Sequence, residues 1–447
     1  MKTHIKPLLK ALITRYIFFV FVILSVIKVS AQNYSFSIYG YGVYCTNDAY
    51  IFIPGNLTSH DMTVPGVINL DGKIELWGDI DNQSTGPFFI DIEDDPIGDL
   101  VMVSPDGFNQ SINGITPIEF ENLHLDFFTK NLELNNCITY GTLSINSRFN
   151  LNSNNFILKR KNPVQPSPPG QLNYETGHIH SESLPPTYGT LQWNIKNGIG
   201  QYKIPFGSGA SDGSGNDKDL ELIYDVTIPG SADGFVKFAT YPTPFDNRPF
   251  PVGVFSLAPH SDINVVDRFW IIDPDYSTRP DIKLTFNYID VETRSPNFIN
   301  KSEFKAIRYN PNSSSWNDWV PISQSNPDIY KVSTQAIPKQ HFFTNWTLAS
   351  EEAGGDIWIP NAFTPDRDES YLNESFGPVI TFPYAKYEFY VLDRWGEQIF
   401  TSDNILNRWD GTLGGVVVNG GVYTWLIVLT KSTGKKYKYT GTVNVIL

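Results

Sequence analysis

The sequence predicts an all-β chain: an N-terminal β-solenoid-like region, a central β-sandwich and a small β-sandwich at the end. Three observations predict it. Between residues 68 and 158, apolar residues recur in pairs two positions apart, with Asn, Gly, Asp and Ser between the pairs. From residue 171 onward, short runs of β-branched and aromatic residues alternate with Gly- and Pro-rich stretches, the punctuation of strands and turns. No long amphipathic helical period appears beyond the N-terminal segment. At 447 residues the chain has room for two or three domains besides the terminal one.

Residues 1–31 read as a secretory signal peptide. Lys2, Lys6, Lys10 and Arg15 form a basic start, residues 17–27 are nearly all apolar, and Val29-Ser30-Ala31 is a small-residue cleavage site that leaves Gln32 first. The apolar run falls short of the roughly 20 residues of a comfortable membrane span. The full chain carries 33 basic and 47 acidic residues, net −14. Removing the signal takes away five basic residues and no acidic one, which moves the net charge to −19. That balance excludes nucleic acid as a partner, because a phosphate backbone needs a basic stripe.

Residues 32–161 form the first body. Its pairs are Ile68 and Leu70, Ile74 and Leu76, Leu123 and Leu125, Leu132 and Leu134, Leu143 and Ile145, Phe149 and Leu151, Phe156 and Leu158. A two-residue step puts both members on one face of a strand. Brief strands at near-regular intervals suit a solenoid, in which each rung buries its inward pair against the next. An antiparallel sandwich alternates in the same way and is the rival reading. Pro163, Pro166, Pro168 and Pro169 make residues 162–170 an extended linker, and a domain boundary is expected there. An oxidising envelope permits a Cys45–Cys137 disulfide, with two separate buried thiols as the alternative.

Residues 171–350 form the central β-sandwich, as one domain or two. Strands are expected over 178–182, 190–195, 220–228, 234–241, 268–272, 282–288, 304–309, 319–322 and 343–349, with loops over 207–217 and 243–251. Residues 351–356 read as a hinge.

Candidate chemistry is sparse. His178, His180 and Glu182 share one strand face and could converge on a metal, but nothing marks a fourth ligand and a structural strand is the reading preferred. No G-x-S-x-G elbow is present. The carboxylates Glu93, Asp94 and Asp95, and Asp273, Asp275 and Asp281, flank turns. Calcium is the ion best suited to the loop of Asp366, Asp368, Glu369 and Glu374, and Asp212, Asp217 and Asp219 form a looser set. Neither has EF-hand spacing, and a hydrated acidic loop is the plainer account. Trp316 and Trp319 are the nearest candidates for a sugar platform, but a spacing of three on a strand sends them to opposite faces.

The most specific words lie at the end. Asp393-Arg394-Trp395-Gly396 is followed by Trp409-Asp410-Gly411, Gly421-Val422-Tyr423 and Gly441-Thr442-Val443. In order and spacing they resemble the gliding motility-associated C-terminal domain of the Bacteroidetes, the type B sorting domain of type IX secretion. The opening word departs from that pattern: residues 366–369 replace its Asn-Gly-Asp-Gly. The resemblance covers residues 357–447 and implies an Ig-like β-sandwich that takes a folded passenger across the outer membrane. By the same resemblance the sorting residues are Asp393, Arg394, Trp395, Gly396, Trp409, Asp410, Gly411, Gly421 and Tyr423. The partners it implies are the type IX translocon and an associated outer-membrane protein.

The expectation is a non-enzymatic cell-surface protein with no cofactor beyond calcium. A carbohydrate-binding adhesin, with a glycan or surface polymer as partner, is the alternative, and a secreted hydrolase ranks third.

Overall fold

The computed structural model describes residues 35–40, 42–90, 98–104, 107–159, 170–209, 218–257, 260, 262–294, 297, 299–317, 323–350, 357–365, 373–380, 384–430 and 436–447. The expected signal peptide and the proline-rich residues 162–169 lie outside them. Among the described residues no helix is long and apolar enough to cross a membrane.

The first body is a β-solenoid with three strands to a rung. Rung one is β1 (Ser35–Tyr39), β2 (Gly42–Cys45) and β3 (Tyr50–Ile53). Rung two is β4 (Asn56–His60), β5 (Val67–Leu70) and β6 (Lys73–Leu76); rung three is β7 (Ile80–Gln83), β8 (Phe89–Ile90) and β9 (Asp99–Val103). Rung four is β10 (Gln110–Gly114), β11 (Glu119–Phe120) and β12 (Asn122–Asp126); rung five is β13 (Lys130–Leu132), β14 (Cys137–Thr139) and β15 (Thr142–Asn146). Rung six is β16 (Arg148–Asn150), β17 (Asn155–Leu158) and β18 (Gln171–Tyr174), and rung seven closes with β19 (His178–His180) and β20 (Thr190–Trp193). Every third strand pairs in parallel except β8 and β11, so the rungs stack into sheets, the second of which is interrupted between rungs three and four.

The two-residue step of the sequence becomes columns of core residues. On the third face, Ile51, Ile74, Leu100, Leu123, Leu143 and Leu172 lie in register, as do Ile53, Leu76, Met102, Leu125, Ile145 and Tyr174. Each fully buried aliphatic side chain contributes about 1.5–3 kcal/mol. A one-residue slip would turn every such pair outward. One core position carries a charge. Lys130 is fully buried, and its Nζ donates to the carbonyls of Asp126, Phe127 and Phe128. Burial lowers its pKa to about 8.

Two expectations are corrected here. The solenoid does not stop at residue 161: β18, β19 and β20 pair in parallel with β15, β16 and β17, so the strands on both sides of the proline-rich residues belong to one solenoid and no domain boundary falls there. The Cys45–Cys137 disulfide is absent, and both thiols are free and buried. Cys45 ends β2 in rung one and Cys137 opens β14 in rung five. Four rungs at about 4.8 Å each put roughly 19 Å between them, far beyond disulfide reach. Burial pushes the Cys45 thiol up to about 11 and Cys137 up to about 12, so neither is a thiolate at neutral pH.

The sandwich is built of β21 (Gly200–Ile204), β22 (Gly207–Ser208), β23 (Lys218–Asp219), β24 (Leu222–Ile228), β25 (Phe235–Pro242), β26 (Arg268–Asp275), β27 (Asp281–Asn287), β28 (Lys305–Asn310), β29 (Ser315–Asn317), β30 (Gln324–Asn326), β31 (Lys331–Ser333) and β32 (Asn345–Ala349). One of its sheets runs β21-β24-β27-β31-β30. The other is an extension of the solenoid: β11-β14-β17-β20 continues into β25-β26-β32-β28-β29. The change from parallel to antiparallel falls on β20, which pairs in parallel with β17 and antiparallel with β25. One hydrophobic core accordingly runs from Ile38 in the solenoid to Leu348 in the sandwich.

A buried ion cluster pins this junction. The Arg268 guanidinium, opening β26, donates from Nε and Nη2 to Glu292, from Nη2 to Glu182 and Ser208 Oγ, and from Nη1 to Thr240 Oγ1. Glu182 lies between the two strands of the last solenoid rung, whereas Glu292 belongs to the sandwich. Burial opposes the guanidinium's charge, and Glu292 and Glu182 hold it. Arg268→Leu leaves two carboxylates without their cation in the interior, and a loss of about 3–5 kcal/mol is expected. Urea unfolding of the solenoid–sandwich body measures it.

Beside the cluster, burial pushes the Asp267 carboxyl up to about 6, opposed by an Asn297 hydrogen bond and helped by the charge of Glu292. A raised folded pKa means that ionised Asp267 costs stability above about pH 6. That cost fades as pH falls toward the unfolded carboxylate range and is gone below about pH 4. Asp267→Asn should therefore stabilise the protein at pH 7.5, by roughly 1 kcal/mol given the group's part exposure. The gain should vanish near pH 4, as thermal unfolding across that range would show.

Candidate functional site

The terminal body has its own core, which includes Phe363, Phe376, Phe389, Trp409, Trp425 and Leu429. Its strands are β33 (Ile357–Trp358), β34 (Ala362–Phe363), β35 (Val379–Ile380), β36 (Lys386–Leu392), β37 (Gln398–Ser402), β38 (Thr412–Leu413), β39 (Val416–Val417), β40 (Gly421–Thr430) and β41 (Lys436–Val445). The main sheet runs β34-β41-β40-β36-β37, with β33-β35 and β38-β39 as separate pairs.

The motif words divide into buried framework and exposed surface. Trp409 is fully buried. Its indole N–H donates to the Thr412 carbonyl at 3.1 Å, and its ring packs against Phe363 and Tyr423. Asp410 Oδ1 accepts from the Thr412 backbone N–H and hydroxyl, which shapes the turn into β38. Gly411 has φ +72, and a Cβ there would lie 2.7 Å from the Pro365 ring. Tyr423 donates its hydroxyl to the Asn419 carbonyl at 2.8 Å, tying down the turn that Gly421 ends. A Cβ on Gly441 would meet the Trp425 ring at 2.5 Å. These residues hold the fold.

The first word is different. Asp393 and Gly396 make the β36–β37 turn. Asp393 Oδ1 accepts from the backbone N–H groups of Trp395 at 2.8 Å and Glu397 at 2.9 Å, and Gly396 sits at φ +85. The two residues between them have no such task. Arg394 is exposed and Trp395 is 80% exposed, with the guanidinium 5.8 Å from the indole ring. Trp395 thus stands clear of the core, as do Leu413 and Val416 on the neighbouring hairpin.

Arg394 and Trp395 border an open groove of about 620 Å³. Asp393, Gly421 and Tyr423 of the motif also line it, together with Ile399 and the hairpin residues Leu413, Val416 and Val417. The structure thus gathers Asp393, Arg394, Trp395, Gly421 and Tyr423 around one groove. Trp409 lies beneath it, through its contact with Tyr423, and Asp410 and Gly411 only shape a loop. The hairpin wall was missed by motif reading, although Leu413-Gly414-Gly415-Val416 carries a two-residue Gly-Gly hairpin signal between apolar residues.

Among the described residues, the other candidates gather into no site. Asp366, Asp368 and Glu369 lie outside the described residues, as do Asp212 and Asp217, and Glu374 is half-buried. Among the described residues, no three His, Cys, Asp or Glu side chains are grouped to hold a metal. Glu182 is occupied by Arg268 and by the Gly209 backbone N–H, so it is committed to the junction. Trp316 is fully buried, stacked on Phe269, with its N–H donated to the Ser256 carbonyl. Trp319 lies outside the described residues.

Residues 357–445 match the CHU_C family, a type IX secretion signal domain. No curated protein matches the chain. Among solved structures it is similar to PorZ, a surface component of the type IX secretion system of Porphyromonas gingivalis. Identity there is 9%, covering 64% of this chain and 46% of that one, with TM-score 0.17. It is also similar to the glycoside hydrolase domain of Endo-D from Streptococcus pneumoniae R6, at 10% identity over 58% of this chain and 38% of that one, with TM-score 0.12. The chain thus spans less than half the length of either.

The division between framework and surface predicts unequal costs. Trp409→Ala should destabilise the terminal body by about 3–5 kcal/mol. Trp395→Ala should change it by no more than about 0.5 kcal/mol. Denaturant unfolding of the two variants, followed by near-UV circular dichroism, tests the contrast.

Proposed function

We propose that this is a non-enzymatic cell-surface protein whose terminal domain hands it to the type IX machinery. The secretion signal domain at 357–445 indicates export by that route. On this reading residues 1–31 bring the chain to the periplasm and are cleaved. The terminal domain is then recognised by the translocon and an associated outer-membrane protein, and the solenoid and sandwich are displayed outside as stalk and interaction module.

The observation that carries the reading is the Arg394–Trp395 knuckle. It is held by the turn of Asp393 and Gly396 and left unburied beside a groove of mixed polarity whose apolar wall includes Ile399, Leu413, Val416 and Val417. A side chain that stabilises nothing and stands on a fixed turn is suited to recognition, because little ordering entropy is lost when a partner covers it. The flanking groove would take an aromatic or aliphatic anchor from the partner.

Protease shaving of intact cells tests it. Full-length protein should be cleaved at the surface, and protein lacking residues 357–447 should be protected inside. Trp395→Ala should lower the shaved fraction several-fold without altering unfolding, and Trp395→Phe should restore most of it. Surface exposure of the truncated chain would overturn the export reading. Normal export of Trp395→Ala would remove the knuckle from it.

A further inference from the structure

The two ends of the solenoid are treated differently. On two faces the last rung is continued: β20 pairs with β25, and Ile179 of β19 bridges to Phe206, while β18 ends the third sheet. Rung one is open. Its strands β1, β2 and β3 each stand at the edge of a sheet, with a neighbour on one side only. Its inward residues continue the core columns, since Phe36 lies over Leu57, Val43 over Ile68 and Ile51 over Ile74. Leu57, Ile68 and Ile74 are buried, yet Phe36 is 42% exposed and Val43 and Ile51 are half-buried. Ile38, Cys45 and Ile53 of the same strands are buried, so the core at this end is partly uncovered among the described residues.

Edge strands are ordinarily guarded by charge, proline or a bulge. The three strands of rung one contain no Lys, Arg, Asp, Glu or Pro. The chain as a whole is strongly acidic, so a neutral terminal rung is a place where two copies can meet without charge repulsion. Cleavage after Ala31, as proposed above, leaves three residues ahead of β1. They are too few to run along strands of 5, 4 and 4 residues.

We propose that rung one is a homodimer interface, with two copies stacked end to end across a two-fold axis. A two-fold axis perpendicular to the solenoid sets each rung-one strand antiparallel to one of the partner copy. β1 then pairs with its own copy, and β2 pairs with β3 of the other chain. Full overlap of β1 sets Ser37 opposite Ser37 and Phe36 opposite Ile38, which keeps both inward residues on the core side. Between β2 and β3 an offset of one residue from full overlap sets Val43 opposite Ile51, again with both on the core side. The match is isologous, the commonest way soluble chains pair, and it satisfies the open backbone edges and the exposed core together.

Light scattering on the chain beginning at Gln32 should give twice the monomer mass, falling toward monomer on dilution. Ser37→Cys should form a covalent dimer on mild oxidation, because paired antiparallel positions lie within disulfide range. Ser302→Cys, exposed on the sandwich, should not. Phe36→Lys should be monomeric with an unchanged unfolding transition. A monomer at every concentration would overturn the proposal. So would a dimer that survives Phe36→Lys, or one that never cross-links through Ser37.

Discussion

The strand Thr190–Trp193 is the constraint on which the passenger depends. On one side it carries the parallel ladder of the solenoid and on the other the antiparallel ladder of the sandwich. A strand can serve both because parallel and antiparallel neighbours differ in hydrogen-bond slant, not in side-chain alternation. Leu191 and Trp193 therefore stay in the core through the change. Solenoid and sandwich become one body with one core. The Arg268 cluster reinforces this, since its two carboxylates come from opposite sides of the joint. A buried ion network of this kind is a device for registering two parts more than for stabilising them.

The terminal domain has a different economy. It has a separate core, and its recognisable residues divide between folding and display. Trp409, Gly411, Tyr423 and Gly441 are needed where they pack. Arg394 and Trp395 are held out in solvent by a turn built from their neighbours Asp393 and Gly396. A motif of this sort mixes two constraints in one word, and burial separates them.

Much of this was legible in the sequence. The solenoid's apolar pairs are its core columns, and the strands expected at 220–228, 234–241, 268–272, 282–288, 304–309 and 343–349 formed close to those bounds. The motif words of the tail fell on turns and core. The solenoid's end was not legible. Strands at 178–180 and 190–193 alternate in the same way whether their neighbour is parallel or antiparallel, and four prolines looked like a boundary although the strands before and after them belong to one solenoid. The cysteines misled for a similar reason, because rung number, which sets their separation, emerges only once the register is known. Arg268, Glu182 and Glu292 are 86 and 24 residues from one another along the chain, and no local pattern joins them.

The account's central claim is that the terminal domain is a self-contained export address on a rigid cargo. Transfer tests it most directly. Residues 357–447 would be fused behind a signal peptide and an unrelated periplasmic reporter, and the surface-exposed fraction of reporter measured in cells with and without a working type IX translocon. The account predicts surface reporter in the first cells and periplasmic reporter in the second. Reporter retained in the periplasm of both, with the fused domain folded, would contradict it.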